Sequence, residues 1–326
     1  MSKEIVVPAR GELRFNGQPF PRLIVAAGED AMKRFIEFFT ANIRNPNTRG
    51  AYARAVVQFC NWCEHRKFSL QLLEPVVIAA YVEDIGTRLA KPSVKQHLAA
   101  IRMLFDYLVV GQIMPMNPAS SVRGPKHVVK RGKTPVLSAE DARRLLDSID
   151  TTRLIGRRDR ALIAVMVYSF ARISAVVGMS VEDFYQNGKR CWFRFQEKGG
   201  KFHEVPAHHN AEAYVDAYLT AAGLSADEKK TPLFQTVRGK SGRLTGNRLN
   251  RFEAFQMIKR RVRAAGLSRR ICNHSFRATG ITTFLLNGGS LEHAQAIAAH
   301  ESPRTTKLYD RTQDEITLDE VERILI

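Results

Sequence analysis

Apolar residues at helical spacing mark the first third of the chain. Phe38 and Phe39 follow Phe35 by three and four residues, as on one face of an amphipathic helix. The same spacing continues, with interruptions, from Glu29 to about Ile113. This pattern predicts four helices that together form a small all-α domain.

A second patterned region begins at Ser138. Asp141 follows three residues later, which is a start signal for a helix. Two apolar runs, Cys191–Phe195 and Phe202–Val205, flank the turn sequence EKGGK and predict a pair of strands. The helical patterns of this region cover residues 138–149, 157–179, 211–221, 247–265, 277–287, 291–299 and 303–309. The chain is therefore predicted to be mainly α with a small β-sheet, in two domains.

The charge of the chain narrows the class of partner. Lys and Arg number 50 against 32 Asp and Glu, so the formal net charge is +18. Both halves of the chain are basic, which distinguishes it from a neutral domain with a basic tail. Clustered positive charge favours a polyanion as partner, and nucleic acid fits the clustering better than a merely solvated surface does.

Residues 116–137 have little helical periodicity and are punctuated by proline. No Asp or Glu lies between Asp106 and Glu140, so the charges in this stretch are all positive. We interpret it as a linker that lies along a phosphate backbone; a solvated linker would have the same composition. The candidate residues for contact with that phosphate backbone are Arg123, Lys126, Lys130 and Arg131. The predicted organisation is an N-terminal arm (1–25), a helical domain (26–115), this linker (116–137) and a second domain (138–326).

Several classes of protein are disfavoured by what the sequence lacks. The sequence has no run of about 18 apolar residues, which is the length that a membrane span needs. The start of the chain lacks the apolar segment of a secretory signal. Four cysteines do not make a disulfide scaffold and indicate a reducing, cytoplasmic compartment. The motifs GxxxxGK[ST] and GxSxG are absent, so neither nucleotide hydrolysis nor a hydrolase nucleophile elbow is supported.

Cys60, Cys63 and His65 have a spacing that invites a zinc site. A structural zinc site needs four ligands, usually in two pairs, and the other cysteines are single and remote. The pair His208-His209 also lacks a matching pair. The apolar helix around Cys60 and Cys63 makes them core residues, and we expect no metal and no other cofactor.

Arg172 is the first candidate for chemistry in the second domain. The predicted helix that contains it carries no charge from Ala161 to Ala171. Burying a guanidinium without a partner is costly, so this one should face an anion. A structural salt bridge is the alternative and has about equal weight for this residue alone.

Five further polar residues complete the candidate set. His274 and Arg277 lie three residues apart at the start of a predicted helix and share one face. The others lie at a hairpin tip or at the ends of short helical segments: Lys198, with Lys201 as its competitor, His300 and Tyr309. Each residue alone is equally well explained as an ordinary solvated or structural side chain. Together they form a set that suits phosphoryl transfer on a phosphodiester.

The charge of the transition state explains that assignment. Two guanidinium groups can hold the non-bridging oxygens, a tyrosine hydroxyl can attack phosphorus, and a lysine can protonate the departing oxygen. Because the ordinary pKa of tyrosine is about 10, we expect a cationic pocket to ease its deprotonation. This scheme requires no metal ion.

The order and spacing of the six residues resemble the tyrosine recombinase (phage integrase) family. ARISAVVGMSVEDF resembles that family's first arginine box, and NHSFRATGITTFLLNGG resembles its HxxR box. IAAHESPRTTKLYDR resembles its second histidine with the nucleophilic tyrosine nine residues later. The chain departs from the family pattern at Ala175, where glutamate is common, at Ala278, where histidine is common, and at Ala298-Ala299, where Leu-Gly is usual.

The resemblance implies a clamp on duplex DNA, with a helical core-binding (SAM-like) domain and a catalytic domain that ends in an exchanged C-terminal helix. It implies site-specific integration, excision or resolution of a mobile element or replicon. It also implies a homotetramer on two sites, sometimes with accessory DNA-bending or partner recombinase proteins, in a bacterial or phage-encoded, nucleoid-associated setting. The implied roles are nucleophile for Tyr309, transition-state contacts for Arg172 and Arg277, general acid for Lys198, proton transfer for His274 and phosphate binding for His300.

Two alternatives stay open from the residues alone. A type IB topoisomerase-like enzyme would share the catalytic residues, but the helical domain ahead of the catalytic boxes favours a recombinase. A non-catalytic DNA-binding regulator would retain the fold with a decayed site, and the complete six-residue set argues against it.

Overall fold

A computed structural model of the chain describes residues 5–6, 14–15, 18–129, 132–196, 202–225, 228–239 and 241–310. The chain divides into two compact units, Met1–Val128 and Val129–Ile326. No helix in these described ranges is long and apolar enough to cross a membrane.

The first unit is built around four helices, as the hydrophobic pattern predicts. They are α2 (Glu29–Glu37), which continues into a π-helical turn, α3 (Pro46–His65), α4 (Pro75–Gly86) and α5 (Lys91–Val110). The start of α3 is fixed by Asn45, whose side chain accepts the backbone N–H groups of Asn47 and Thr48. Such a cap satisfies donors that the first turn of a helix leaves unpaired.

The N-terminal segment, which the sequence predicts only as an arm, contains secondary structure. Three short antiparallel strands, β1 (Ile5–Val6), β2 (Arg14–Phe15) and β3 (Gln18–Pro19), precede the short helix α1 (Arg22–Val25). The ring of Phe15 lies 5.1 Å from that of Phe35, and both rings are buried. Burial of aromatic area therefore ties this segment to the helical core.

The core of this unit includes Cys60 and Cys63, as predicted. Burial raises the pKa of the Cys63 thiol to about 12, and the pKa of Cys60 is raised by the same cause. Both thiols therefore behave as small apolar side chains. Part of the predicted linker also packs here, since Ala119 and Val122 are buried and Arg102 donates to both of their carbonyls.

The second unit combines helices with two small antiparallel sheets. Its helices are α6 (Ala139–Asp147), α7 (Leu154–Tyr168), α8 (Ile173–Gly178), α9 (His209–Ala222), α10 (Arg251–Ala264), α11 (Asn273–Leu286), α12 (Leu291–Ile297) and α13 (Pro303–Lys307). Its strands are β4 (Phe184–Asn187), β5 (Arg190–Gln196) and β6 (Phe202–Pro206) in the order β4-β5-β6, and the hairpin β7 (Gln235–Val237) with β8 (Leu244–Arg248).

The predicted strand pair is confirmed, with Phe193 opposite Val205, and β4 extends it to three strands. The hairpin of β7 and β8 was missed. The prediction of one helix over residues 157–179 is wrong, because α7 ends at Tyr168 and α8 begins at Ile173. Phe170, between them, has a φ of +57°, which no α-helix accommodates.

A buried ion network joins α7 to α10 and β7. The Asp159 carboxylate accepts from Arg158 and from Arg261, each at 2.7 Å. Arg158 also donates to the Gln235 carbonyl at 2.7 Å. Asp159 is 1% exposed and Arg158 is 4% exposed, so each charge depends on the other for its solvation.

Asp159→Asn should lower the free energy of unfolding by about 3–5 kcal/mol, because it leaves the buried Arg158 and the partly buried Arg261 without a counter-charge. Urea unfolding followed by circular dichroism measures this change. Asp141→Asn is the matched control, since Asp141 pairs with Arg144 at an exposed position, and it should cost less than about 1 kcal/mol. Equal losses in the two variants would show that the network contributes little.

Candidate active site

Helix α11 positions most of the candidate residues. It begins at Asn273, so His274 and Arg277 lie three residues apart on one face, as predicted. Residues of the same helix contact both the hydroxyl and the backbone carbonyl of Tyr309. The Tyr309 hydroxyl lies 2.8 Å from Nε2 of His274, and the hydroxyl of Thr282 donates to the Tyr309 carbonyl at 3.0 Å.

His300 completes the surroundings of the tyrosine ring. The two rings are nearly parallel, with centroids 5.9 Å apart. His300 is buried, and its Nδ1 lies 2.9 Å from the hydroxyl of the buried Thr306. The imidazole orientation is thus set by a hydrogen bond on one side and by ring contact on the other.

The Arg277 guanidinium is 1% exposed and donates to two backbone carbonyls. One belongs to Phe170, in the turn after α7, and the other to Ala298, at 2.5 Å, in the turn after α12. Charge-assisted hydrogen bonds of this kind replace part of the hydration that a buried guanidinium loses. The sequence predicts neither contact, because every residue type has a backbone carbonyl that can accept a hydrogen bond.

Arg172 lies in a different setting from the one predicted. It is not inside a helix but precedes α8 as its N-cap residue, and its side chain is exposed. Its charge nevertheless acts on the site. After burial and Arg277, it contributes to the lowered pKa values of His274 and His300, and it partly offsets the rise in the Tyr309 pKa that burial causes. The turn after α7 therefore places an exposed arginine whose charge acts on the same three groups.

A backbone contact from the start of the second unit was also missed. The Gly132 N–H donates to the Leu308 carbonyl at 3.0 Å, next to the tyrosine. A Cβ atom at Gly132 would lie 2.7 Å from that oxygen, so only glycine permits this approach. A lone glycine in a basic, proline-containing stretch gave no specific signal of this contact.

Two family models match the chain. The model of the phage integrase family matches residues 135–315, which is more than half of the chain. The model of the phage integrase N-terminal SAM-like domain matches residues 32–111. The chain belongs to the phage integrase family. It is a tyrosine recombinase, an enzyme that breaks and rejoins DNA at specific sites.

Individual relatives of this recombinase agree with the family match. Tyrosine recombinase XerC of Myxococcus xanthus is 27% identical over 290 residues, which are 86% of this chain and 93% of that protein. The solved structure of XerH bound to difH substrate before cleavage has a TM-score of 0.67 at 17% identity and covers 93% of this chain and 95% of that one. A lambda integrase tetramer bound to a Holliday junction has a TM-score of 0.65 at 14% identity and covers 88% and 78%. These likenesses to solved structures show the fold.

Some predicted residues of the recombinase lie outside the described residues: Lys198, Lys201, Lys130, Arg131 and the expected exchange helix after Asp310. Arg123 and Lys126 are described and have exposed side chains. Among the residues that the structure describes, no group of three or more His, Cys, Asp or Glu side chains could hold a metal ion.

Burial and positive charge together set the protonation states of the site. Burial, followed by Arg277 and Arg172, lowers the pKa of His300 to about 3 and also lowers the pKa of His274. Burial raises the pKa of Tyr309, and the two arginines only partly offset it. The expected easing of deprotonation by cations is therefore outweighed by burial. A neutral His274 can accept the hydroxyl proton of a neutral Tyr309.

The low pKa of His300 should make the recombinase less stable in acid. The unfolded chain has an ordinary histidine pKa of about 6.5, so between that pH and about 3 it binds a proton that folded His300 refuses. Stability that is complete above pH 6.5 is therefore lost as the pH falls through this window. His300→Gln should make the free energy of unfolding fall less steeply between pH 7 and 4.5 in urea titrations. Equal slopes in the variant and the wild type would contradict the shift.

Proposed function

We propose that Tyr309 is the nucleophile with which this recombinase cuts duplex DNA. The observation that carries this proposal is the 2.8 Å contact between the Tyr309 hydroxyl and His274, beside the buried Arg277. A tyrosine with a neutral base at hydrogen-bonding distance and a cation beside it has the parts that nucleophilic attack on a phosphodiester needs.

The proposed step exchanges one phosphodiester for another. Tyr309 attacks the scissile phosphorus, its proton passes to His274, and the bond from phosphorus to the 5′-oxygen breaks. The products are a 3′-phosphotyrosyl link and a free 5′-hydroxyl. Rejoining runs the same exchange with a 5′-hydroxyl as the attacking group. Because a phosphodiester bond is retained throughout, the reaction consumes no nucleotide cofactor.

Arg277, Arg172 and His300 would stabilise the pentavalent transition state. Its charge develops on the non-bridging oxygens, where fixed cationic donors are more effective than water. The carbonyl contacts fix the buried Arg277 in advance, while the exposed Arg172 can close on the phosphate from the solvent side. His300 lies beside the tyrosine ring and would donate a hydrogen bond to the phosphate.

Lys198 would protonate the leaving 5′-oxygen, with Lys201 as its competitor. Both residues follow β5, whose last residue is Gln196, and precede β6. A lysine at the end of a hairpin can extend toward a bound phosphate. An alkoxide is a poor leaving group without a proton, so the role of a general acid has to be filled.

The DNA is proposed to contact both units and the basic stretch between them. The exposed Arg123 and Lys126 support this placement, as does the net charge of +18. We further propose a clamp on the duplex and a homotetramer on two sites, with residues after Asp310 exchanged between protomers. The assembled state of lambda integrase on a Holliday junction supports the tetramer.

The biological role is proposed to be integration, excision or resolution of a mobile element or replicon in the bacterial cytoplasm, at the nucleoid. The match to a XerC protein, which covers 93% of that protein, supports a recombinase of the same general type. Accessory DNA-bending proteins or a partner recombinase would bias the direction of exchange. Relaxation of DNA by a topoisomerase-like enzyme is not favoured.

Tyr309→Phe should abolish covalent attachment to DNA and leave DNA binding nearly unchanged, because only the attacking hydroxyl is lost. Trapping on a nicked suicide substrate, read on a denaturing gel, measures attachment, and a mobility-shift titration measures binding. Tyr185→Phe, on strand β4 of the same unit, is the matched control and should attach at the wild-type rate. A covalent adduct formed by Tyr309→Phe would remove Tyr309 from its role.

Lys198→Ala should lose cleavage of a normal substrate and regain it on a 5′-bridging phosphorothiolate. A thiolate leaves without protonation, so this substrate no longer needs a general acid. Lys201→Ala is the matched control and should cleave both substrates at similar rates. If Lys201→Ala shows the defect and the rescue instead, the general acid is Lys201.

A further inference from the structure

Two residues beside Arg277 have a backbone conformation that their side chains disfavour. In the described part of the chain, four non-glycine residues have a positive φ: Lys67, Gln112, Phe170 and Ala299, at 60°, 58°, 57° and 48°. A Cβ atom makes this left-handed region costly, so the surroundings must hold such a residue in place. Phe170 and Ala299 lie in the two turns that contact Arg277.

Each left-handed residue orients one of the carbonyls that accept from Arg277. At Phe170 the accepting carbonyl is its own. At Ala299 the accepting carbonyl is that of Ala298, which belongs to the peptide unit on the N-terminal side of Ala299. The φ of Ala299 sets how that peptide plane is turned relative to the chain that follows. A change of backbone region at either residue would turn a carbonyl away from the guanidinium.

The same two turns lead directly to the other groups of the site. Arg172 lies two residues after Phe170, and His300 follows Ala299 immediately. The orientation of each turn therefore fixes a contact to Arg277. It also fixes the direction in which the chain continues to another proposed phosphate-binding residue. Arg277, Arg172 and His300 come from three separate segments, and these turns relate them to one another.

Close packing holds the first turn in its conformation. Phe170 is 4% exposed, and its ring meets that of Phe284 edge to face with centroids 6.0 Å apart. On α11, three residues after Arg277, a Cβ atom at Gly280 would lie 2.1 Å from the Val167 carbonyl and 2.6 Å from the Phe170 ring. Glycine at this position thus lets the helix that carries Arg277 approach the turn.

We propose that Phe170 and Ala299 are positioning residues, whose left-handed backbones aim two carbonyls at Arg277 and fix its guanidinium for the scissile phosphate. This inference rests on the proposed role of Arg277 in the reaction. The required property is the backbone conformation of each turn, and the methyl group of Ala299 contributes nothing of its own.

Substitutions at Ala299 separate the conformation from the side chain. Ala299→Gly keeps the left-handed turn at lower cost, so it should raise the thermal midpoint by about 2–4 °C and keep the cleavage rate within about threefold. Ala299→Val places a β-branched residue where φ is positive, and it should cut single-turnover cleavage at saturating DNA by about tenfold or more. The Kd for DNA should change less than about threefold in both variants.

Gln112 provides matched controls, because it has nearly the same φ at an exposed position in the first unit. Gln112→Gly and Gln112→Val should shift the thermal midpoint in the same directions as the Ala299 variants. At a temperature where all four variants are folded, neither Gln112 variant should change the cleavage rate by more than about threefold. The same substitutions at a left-handed position outside the second unit therefore should not reproduce the cleavage defect of Ala299→Val.

A neutral substrate tests whether the defect acts through Arg277. Replacing the scissile phosphate by a methylphosphonate removes a negative charge that the arginine would stabilise, so the Ala299→Val defect should shrink to about threefold or less. An equal defect on both substrates would overturn the proposal. So would full activity of Ala299→Val, or a tenfold loss in Ala299→Gly, which remains informative if the valine variant does not fold.

Arg277→Ala distinguishes a failure of this inference from a failure of the proposed function. If Arg277→Ala cleaves the normal substrate at the wild-type rate, the proposed role of Arg277 fails. If Arg277→Ala is inactive and Ala299→Val is fully active, the arginine is required but the turn does not position it.

Discussion

The burial of one guanidinium constrains the rest of the active site. Arg277 is 1% exposed, and a buried positive charge is tolerated only where hydrogen bonds replace water. Two of its acceptors are carbonyls from turns far apart in sequence, at Phe170 and Ala298. Each turn must therefore hold its place relative to α11. This requirement explains why Gly280 of α11 lies so close to the first turn. It also explains why two residues keep a left-handed backbone despite its energetic cost.

Tyr309, the proposed nucleophile, contacts the same helix through its backbone carbonyl and through its hydroxyl. The Thr282 hydroxyl donates to the Tyr309 carbonyl, and the Tyr309 hydroxyl lies 2.8 Å from Nε2 of His274. Burial raises the pKa of Tyr309 while it lowers that of His274, so both groups are neutral in the protein without DNA. A neutral tyrosine is a weak nucleophile. In the proposed mechanism this pair would transfer its proton only when Tyr309 attacks a bound phosphate.

The sequence predicted which residues would lie near one another in the candidate site better than it predicted their settings. The spacing of His274, Arg277, His300 and Tyr309 led to residues that the fold brings together, because i, i+3 pairs on a helix are a local property. The turn at Phe170 was missed for a physical reason. Left-handed turns are recognised from glycine or asparagine, and here phenylalanine adopts that conformation under tertiary packing. The buried charge of Asp159 was missed as well, since a single charged pair on a helix usually faces solvent.

The boundary between linker and catalytic unit also follows from contacts that residue types do not reveal. Ser138 carries the helix start signal, and its side chain does cap α6. Yet the residues before it already belong to the catalytic unit. The Gly132 N–H binds the carbonyl next to Tyr309, and the Leu137 N–H donates to the buried Thr279 hydroxyl on α11 at 2.9 Å. Hydrogen bonding therefore extends the catalytic unit back to Gly132, so that the end of the basic stretch contacts the backbone beside Tyr309, the proposed nucleophile.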